Sequence, residues 1–199
     1  MARSADPEAD LDFPVRTFRD ADAWAKWLDT NHARKPGIWM RIAKKASGRK
    51  TVSYPDAVEL ALCYGWIDSQ GKSGGPDFAL QRFTPRSKRS MWSKINRERA
   101  LDLIKQGRMQ PAGLAEVERA KTDGRWDRAY DSPSTSTVPD DLKKALDRNT
   151  KAKKAFAALN SANRYAILVR IQTAKKEETR ARRIKQFVEM LARGEKLYP

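Results

Sequence analysis

The residues best suited to chemistry gather in one stretch, Tyr64 to Gly107, where aromatic, acidic and cationic side chains interleave. Asp68 stands beside Trp66 and Ile67. Partial desolvation there would raise its pKa and fit it for general acid or base work, unless Lys72, Arg82 or Arg86 holds it as an ion pair. Strand-like alternation from Tyr64 places Trp66, Asp68, Gln70 and Lys72 on one face. Further along, Arg82, Arg86, Lys88 and Arg89 crowd the approach to a helix that starts near Ser90 or Ser93. Either hydroxyl can cap that helix, and a helix N-terminus beside four cations is a natural pocket for an anion. The same run of charge, continued to Arg99, also reads as a solvated face.

Familiar catalytic signatures are missing: the chain has no CxxC, HExxH, GxSxG, Walker loop or GxGxxG. His32 is the only histidine and no carboxylate cluster accompanies it, so it reads as a structural or surface residue and no metal set is assigned. Cys63 falls in an apolar helix, where a free cysteine behaves as a small hydrophobe. Gly74-Gly75 reads as a hairpin turn before it reads as a phosphate cradle. Neither a catalytic residue nor a cofactor is assigned on these grounds.

The elements that must position the stretch are legible around it. Residues 1–14 are polar, carry two prolines and show no periodicity, which predicts a mobile arm. Asp20 or Asp22 caps a helix whose Trp24, Trp27 and Leu28 form one stripe, ended by Pro36-Gly37. Ile38–Lys44 alternates as a strand, and the lysines, glycine and arginine of Lys44–Lys50 make a turn. Ser53 and Asp56 then resemble a capping box at the head of an apolar helix ending near Tyr64. Phe78–Thr84 is of strand length and pairs with Trp66–Lys72 across a glycine-rich turn. A helix over about Lys94–Gln106 is expected to bury Ile95, Leu101, Leu103 and Ile104. Another, after Pro111, carries Leu114, Val117 and Ala120, and Trp126 and Tyr130 fold back onto this first unit. The sum is an α+β domain over 15–130, with a small antiparallel sheet covered by helices. A linker or strap at 131–139 (DSPSTSTVP) leads into a helical C-terminal unit at 140–199.

The chain has 199 residues, a net charge of +16 and a pI near 10.1. Lys and Arg outnumber Asp and Glu by 10 to 4 over residues 61–110 and by 13 to 4 over 151–199. Such a surface attracts polyanions without choosing among them. One cysteine allows no intrachain disulfide, no apolar run is long enough to span a bilayer, and the acidic N-terminus does not look like a signal peptide. A cytoplasmic protein is expected, and the sequence carries no signal of oligomeric state.

Three blocks carry a resemblance. YGWIDSQGK, then QRFTPRSKRSMWSKINRERALDLIKQGRMQPAGL, then AKKEETRARRIKQFVEML ending in Gly194 resemble the bacterial YdeI or OmpD-associated family of bacteriocin-protection proteins, over about residues 15–197. The positions carried over are Gly65, Trp66, Asp68, Lys72, Arg82, Phe83, Pro85, Arg86 and Ser90. Trp92, Ser93, Asn96 and Arg97 follow, with Thr179, Arg180, Arg183 and Gly194 in the tail. The resemblance implies a bacterial role in envelope stress or in resistance to bacteriocins and cationic peptides, with no catalytic reaction attached. The resulting expectation is a non-catalytic protein that binds an anionic small molecule or an acidic protein partner. The alternatives are nucleic-acid binding through the two basic regions, and a small enzyme using Asp68 as acid or base.

Overall fold

The computed structural model describes residues 7–199 and divides into two compact units. The first holds the described residues up to Ser90 together with Glu98–Asp123; the second holds Met91–Arg97 and Gly124–Pro199.

The first unit is built on a four-stranded sheet, β1 (Val15–Thr17), β2 (Ile38–Ala43), β3 (Trp66–Ser73) and β4 (Phe78–Pro85), in the order β1-β2-β4-β3. The three strands expected from sequence pair antiparallel, β2 with β4 and β4 with β3. The short β1 adds a parallel edge to β2, so the sheet is mixed. Helices α1 (Ala21–Asn31), α2 (Tyr54–Cys63) and α4 (Pro111–Thr122) belong to this unit, and α3 (Lys94–Lys105) runs through the division. Asp20 caps α1 by accepting from the Ala23 N–H at 2.8 Å. Ser53 caps α2 through the Asp56 N–H and donates its own hydroxyl to the Asp56 carboxylate at 2.6 Å.

One sheet face carries Ile38, Phe83 and Trp66, which are buried with Trp24 and Leu28 of α1. The Trp24 ring meets Trp66 edge-on at 6.2 Å and Phe83 at 5.7 Å. Both buried indole N–H groups are satisfied, Trp24 by the Ala57 carbonyl and Trp66 by the His32 carbonyl, each at 3.1 Å. Helix α4 lies so close to the end of α2 that a Cβ on Gly113 would overlap the Cys63 carbonyl. Two expectations fail on the helices. Ile95, Leu101 and Leu114 are exposed, because the buried stripes run through Ala100 and Leu103 on α3 and through Gly113, Val117 and Ala120 on α4.

The second unit is helical: α5 (Asp140–Asp147), α6 (Thr150–Ala157), α7 (Ser161–Gln172) and α8 (Glu177–Ala192). Its core is Leu142, Leu146, Phe156, Ile167, Ile171, Ile184, Phe187 and Leu191. Asn149 and Asn160 cap α6 and α7. The fully buried Asn163 brackets the C-terminal residues, its amide oxygen accepting from the N–H groups of Leu197 and Tyr198 and its amide nitrogen donating to the Tyr198 carbonyl. Trp126 and Tyr130, expected to close the first unit, belong here instead. Trp126 packs on Trp92 at 5.0 Å, and the Tyr130 backbone bonds to the Trp92 carbonyl and the Lys94 N–H.

Candidate anion-binding site

The sequence placed Trp66, Asp68, Gln70 and Lys72 on one face; the structure separates them. Asp68 pairs with Phe83 and Gly71 with Gln81, so two residues of β3, Ser69 and Gln70, stand opposite Arg82 alone. This β-bulge turns the strand over. Trp66 and Asp68 stay on the helix-covered face, whereas Lys72, opposite Leu80, emerges on the outer one. Gln70 sits in the bulge, its carbonyl accepting from the Gln81 amide at 3.2 Å. Asp68 accepts the Tyr54 hydroxyl at 2.6 Å, a bond that with burial raises the Tyr54 pKa, burial being the larger cause and Arg99 acting in the opposite sense.

The outer face is a cationic and aromatic surface crossed by the chain's own N-terminal segment. Residues 1–6 of the expected arm lie outside the described residues; residues 8–14 are bonded to the sheet. Arg41 donates from Nε and Nη2 to the two carboxylate oxygens of Glu8, at 2.7 and 2.6 Å. Asp12 accepts from Trp39 Nε1 at 2.9 Å and from Arg82 Nη2 at 2.6 Å. The Arg82 guanidinium stacks over Phe13 at 4.7 Å, and Lys72 lies 5.2 Å above the Trp39 ring. Arg82 first, then Trp39, holds the Asp12 carboxyl below the usual carboxylate range. Arg82, expected at the approach to an anion pocket or paired with Asp68, is held here by Asp12.

The remaining expected residues divide between the units. Arg86 is 5% exposed, its N–H bonded to the Gly65 carbonyl and its carbonyl accepting from Arg119. Lys88 and Arg89 are exposed in a loop closed by the Ser87 and Ser90 hydroxyls. Trp92, Ser93, Asn96 and Arg97 lie in the second unit. Ser93 does cap α3 by accepting from the Asn96 N–H at 3.2 Å, while the Lys94 N–H is taken by the Tyr130 carbonyl and Arg97 donates to the Trp126 carbonyl. Two amides of this helix start are therefore committed within the protein.

A concave cationic site lies elsewhere in the first unit. A groove of about 650 Å3 is bordered by the starts of α1 and α2 and by the turn after β2. Five cations line it: Arg19, Lys44, Lys45, Arg49 and Lys50. Its two carboxylates, Asp20 and Asp56, are engaged as helix caps. Arg19 reaches Asp20 at 2.9 Å, the Lys44 ammonium donates to the Gly75 carbonyl, and Arg49 stands 3.6 Å from Asp77. Lys45 and Lys50 are exposed and lack an ion-pair partner among the described residues. Ile42, Ala43 and Val52 give the groove an apolar side. The sequence showed these cations only as a turn, KKASGRK; the missed signal was their position between a strand end and a helix cap. In the helical unit, a groove of about 640 Å3 between α5 and α8 has an apolar floor and charges of both signs.

Among the described residues no group of three His, Cys, Asp or Glu side chains is gathered as for a metal ion, and no helix is long and apolar enough to cross a membrane. Comparison with known families divides the chain much as the structure does. Residues 16–116 match a domain of unknown function, DUF8412, and residues 135–194 match the family described as Bacteriocin-protection, YdeI or OmpD-Associated. Two of the three resembling blocks fall wholly or largely in the first match, and the tail with Thr179, Arg180, Arg183 and Gly194 falls in the second. Searches of curated proteins and of solved structures return no significant match. By these matches the chain belongs to the DUF8412 family, whose model covers just over half its length, and its residues 135–194 match the YdeI or OmpD-associated bacteriocin-protection model.

Proposed function

We propose that this is a non-catalytic cytoplasmic protein that binds an anionic ligand in the groove of the first unit, in the service of bacteriocin or envelope-stress protection. The observation that supports it is the groove's charge. Five cations face two carboxylates that are already engaged as caps, leaving Lys45 and Lys50 turned to solvent at the rim of a concave site. Exposed ammonium groups around a cleft raise the local concentration of anions, and the apolar side formed by Ile42 and Val52 favours a ligand with an uncharged body as well.

Titration of inorganic pyrophosphate into the full chain and into a K45A/K50A variant tests this reading. The double substitution is expected to weaken binding about tenfold or more, because two charge-assisted contacts are lost. Equal binding by both proteins rejects the groove. A short single-stranded oligonucleotide separates the nucleic-acid alternative. Under that alternative its binding falls equally with K45A/K50A and with R182A/K185A in the helical unit, and each lost contact flattens the salt dependence by about one unit of slope.

A further inference from the structure

The outer face of the sheet supports a second inference, independent of the groove. We infer that this face, presenting Arg41, Arg82, Trp39 and Lys72, is a docking surface for an extended acidic segment of a partner protein, a place now held by residues 8–13 of the chain itself.

The seated segment defines the chemistry of its replacement. Glu8 and Asp12 are four residues apart and meet two arginines on neighbouring strands, Arg41 with both carboxylate oxygens and Arg82 through Nη2. The Trp39 indole N–H reads the second oxygen of Asp12, and Phe13 slides beneath the Arg82 guanidinium beside Gly37, where a Cβ would come within 2.8 Å of the ring. A fitting partner therefore carries an acid, a second acid four residues on and an aromatic residue immediately after. Planar guanidinium groups select carboxylates in this way, and a lone phosphate would satisfy only one of the two positions.

The seat is exchangeable by construction. Glu8 and Asp12 are held to the sheet through their side chains, and a backbone bond joins the chain to β2 at the Pro14 carbonyl, which accepts from the Trp39 N–H. Both ion pairs are partly solvated, with Arg41 37% and Asp12 53% exposed, and such pairs hold weakly and are screened by salt. A tethered segment still competes well against a free one because of its high effective concentration, so the intact chain binds the partner only in part.

The experiment uses a fluorescein-labelled peptide of the chain's own first fourteen residues, MARSADPEADLDFP, read by anisotropy against the full-length protein. In an E8Q/D12N chain the internal competitor is weakened, and the peptide is expected to bind at least about tenfold more tightly than to the unaltered chain. Adding R82Q should abolish that gain, and a peptide with Gln and Asn in place of its Glu8 and Asp12 should not bind. Equal binding by the unaltered and E8Q/D12N chains, or binding indifferent to the peptide's carboxylates, overturns the inference. Dimerisation of E8Q/D12N on sedimentation, without peptide binding, also overturns it, because the occupant is then a second copy. If E8Q/D12N loses its folded far-UV spectrum, E8Q alone is read, with a gain of about threefold supporting the inference and no gain overturning it.

Discussion

The two units handle positive charge in opposite ways. In the helical unit several arginines are taken up by acceptors of the fold: Arg180 holds Asp141 at 2.5 and 2.9 Å and also the Ile171 carbonyl, Arg183 holds the Arg170 carbonyl, and Arg164 the Phe156 carbonyl. These carbonyls lie at the ends of α6 and α7, where guanidinium groups satisfy the acceptors that a helix leaves open. In the α+β unit, Lys45 and Lys50 touch no acid among the described residues, while Arg41 and Arg82 hold carboxylates on a face with little other support. Density of basic residues is therefore a poor guide to function here. What matters is whether each cation already has an acceptor supplied by the fold.

The largest effect that sharpens this contrast is on the core. Trp66→Ala removes a fully buried ring from the aromatic cluster of Trp24, Trp27 and Phe83 and should cost about 3–5 kcal/mol in urea unfolding of the first unit. A loss below about 1 kcal/mol would mean the cluster is not what holds the sheet to α1.

Arg180→Ala comes next. It should destabilise the helical unit on the order of 1 kcal/mol, discounted for the partial exposure of both partners, and leave pyrophosphate binding unchanged. K45A/K50A should do the reverse, with stability moving by less than about 0.5 kcal/mol, so the pair forms a crossed test by melting and titration.

The smallest expected effect is in acid. Lys94 holds the Asp131 carboxyl, and Arg180 the Asp141 carboxyl, below their ordinary value of 3.8. Depressed folded-state values mean that these pairs stabilise the helical unit fully above the ordinary carboxylate range. That contribution is lost as pH falls from about 4 through the lower folded-state values. Far-UV melts taken at falling pH should show Tm dropping in that window, and the drop attributable to Asp141 should vanish in the Arg180→Ala protein.

Much of the architecture was legible in the sequence, because capping and turn chemistry are local. Asp20 and Ser53 cap their helices, the Gly74-Gly75 turn joins the hairpin, and the stripe of Ile184, Phe187 and Leu191 runs down the last helix. What escaped was set by register or by contacts across long separations. Alternation cannot reveal the bulge at Ser69 and Gln70, since no residue type there demands it. Nothing local predicts that Glu8 meets Arg41, thirty-three residues away, or that Trp126 packs on Trp92 instead of on the first unit. Of the candidate site, Arg82 was read beside Asp68 or a bound anion and instead meets Asp12, seventy residues away, and the groove cations were read only as a turn.

The bulge makes this stretch sensitive to chain length as distinct from chemistry. Closing the bulge with every residue kept would restore simple alternation but put Lys72 on the helix-covered face, away from the Trp39 ring, whereas a chain one residue shorter between Asp68 and Gly71 keeps Lys72 opposite Leu80 with no bulge. Two chains that differ here by a gap of one can therefore present the same outer face, one through a bulge and the other through simple alternation. In this part of the molecule, counting residues carries as much information as naming them.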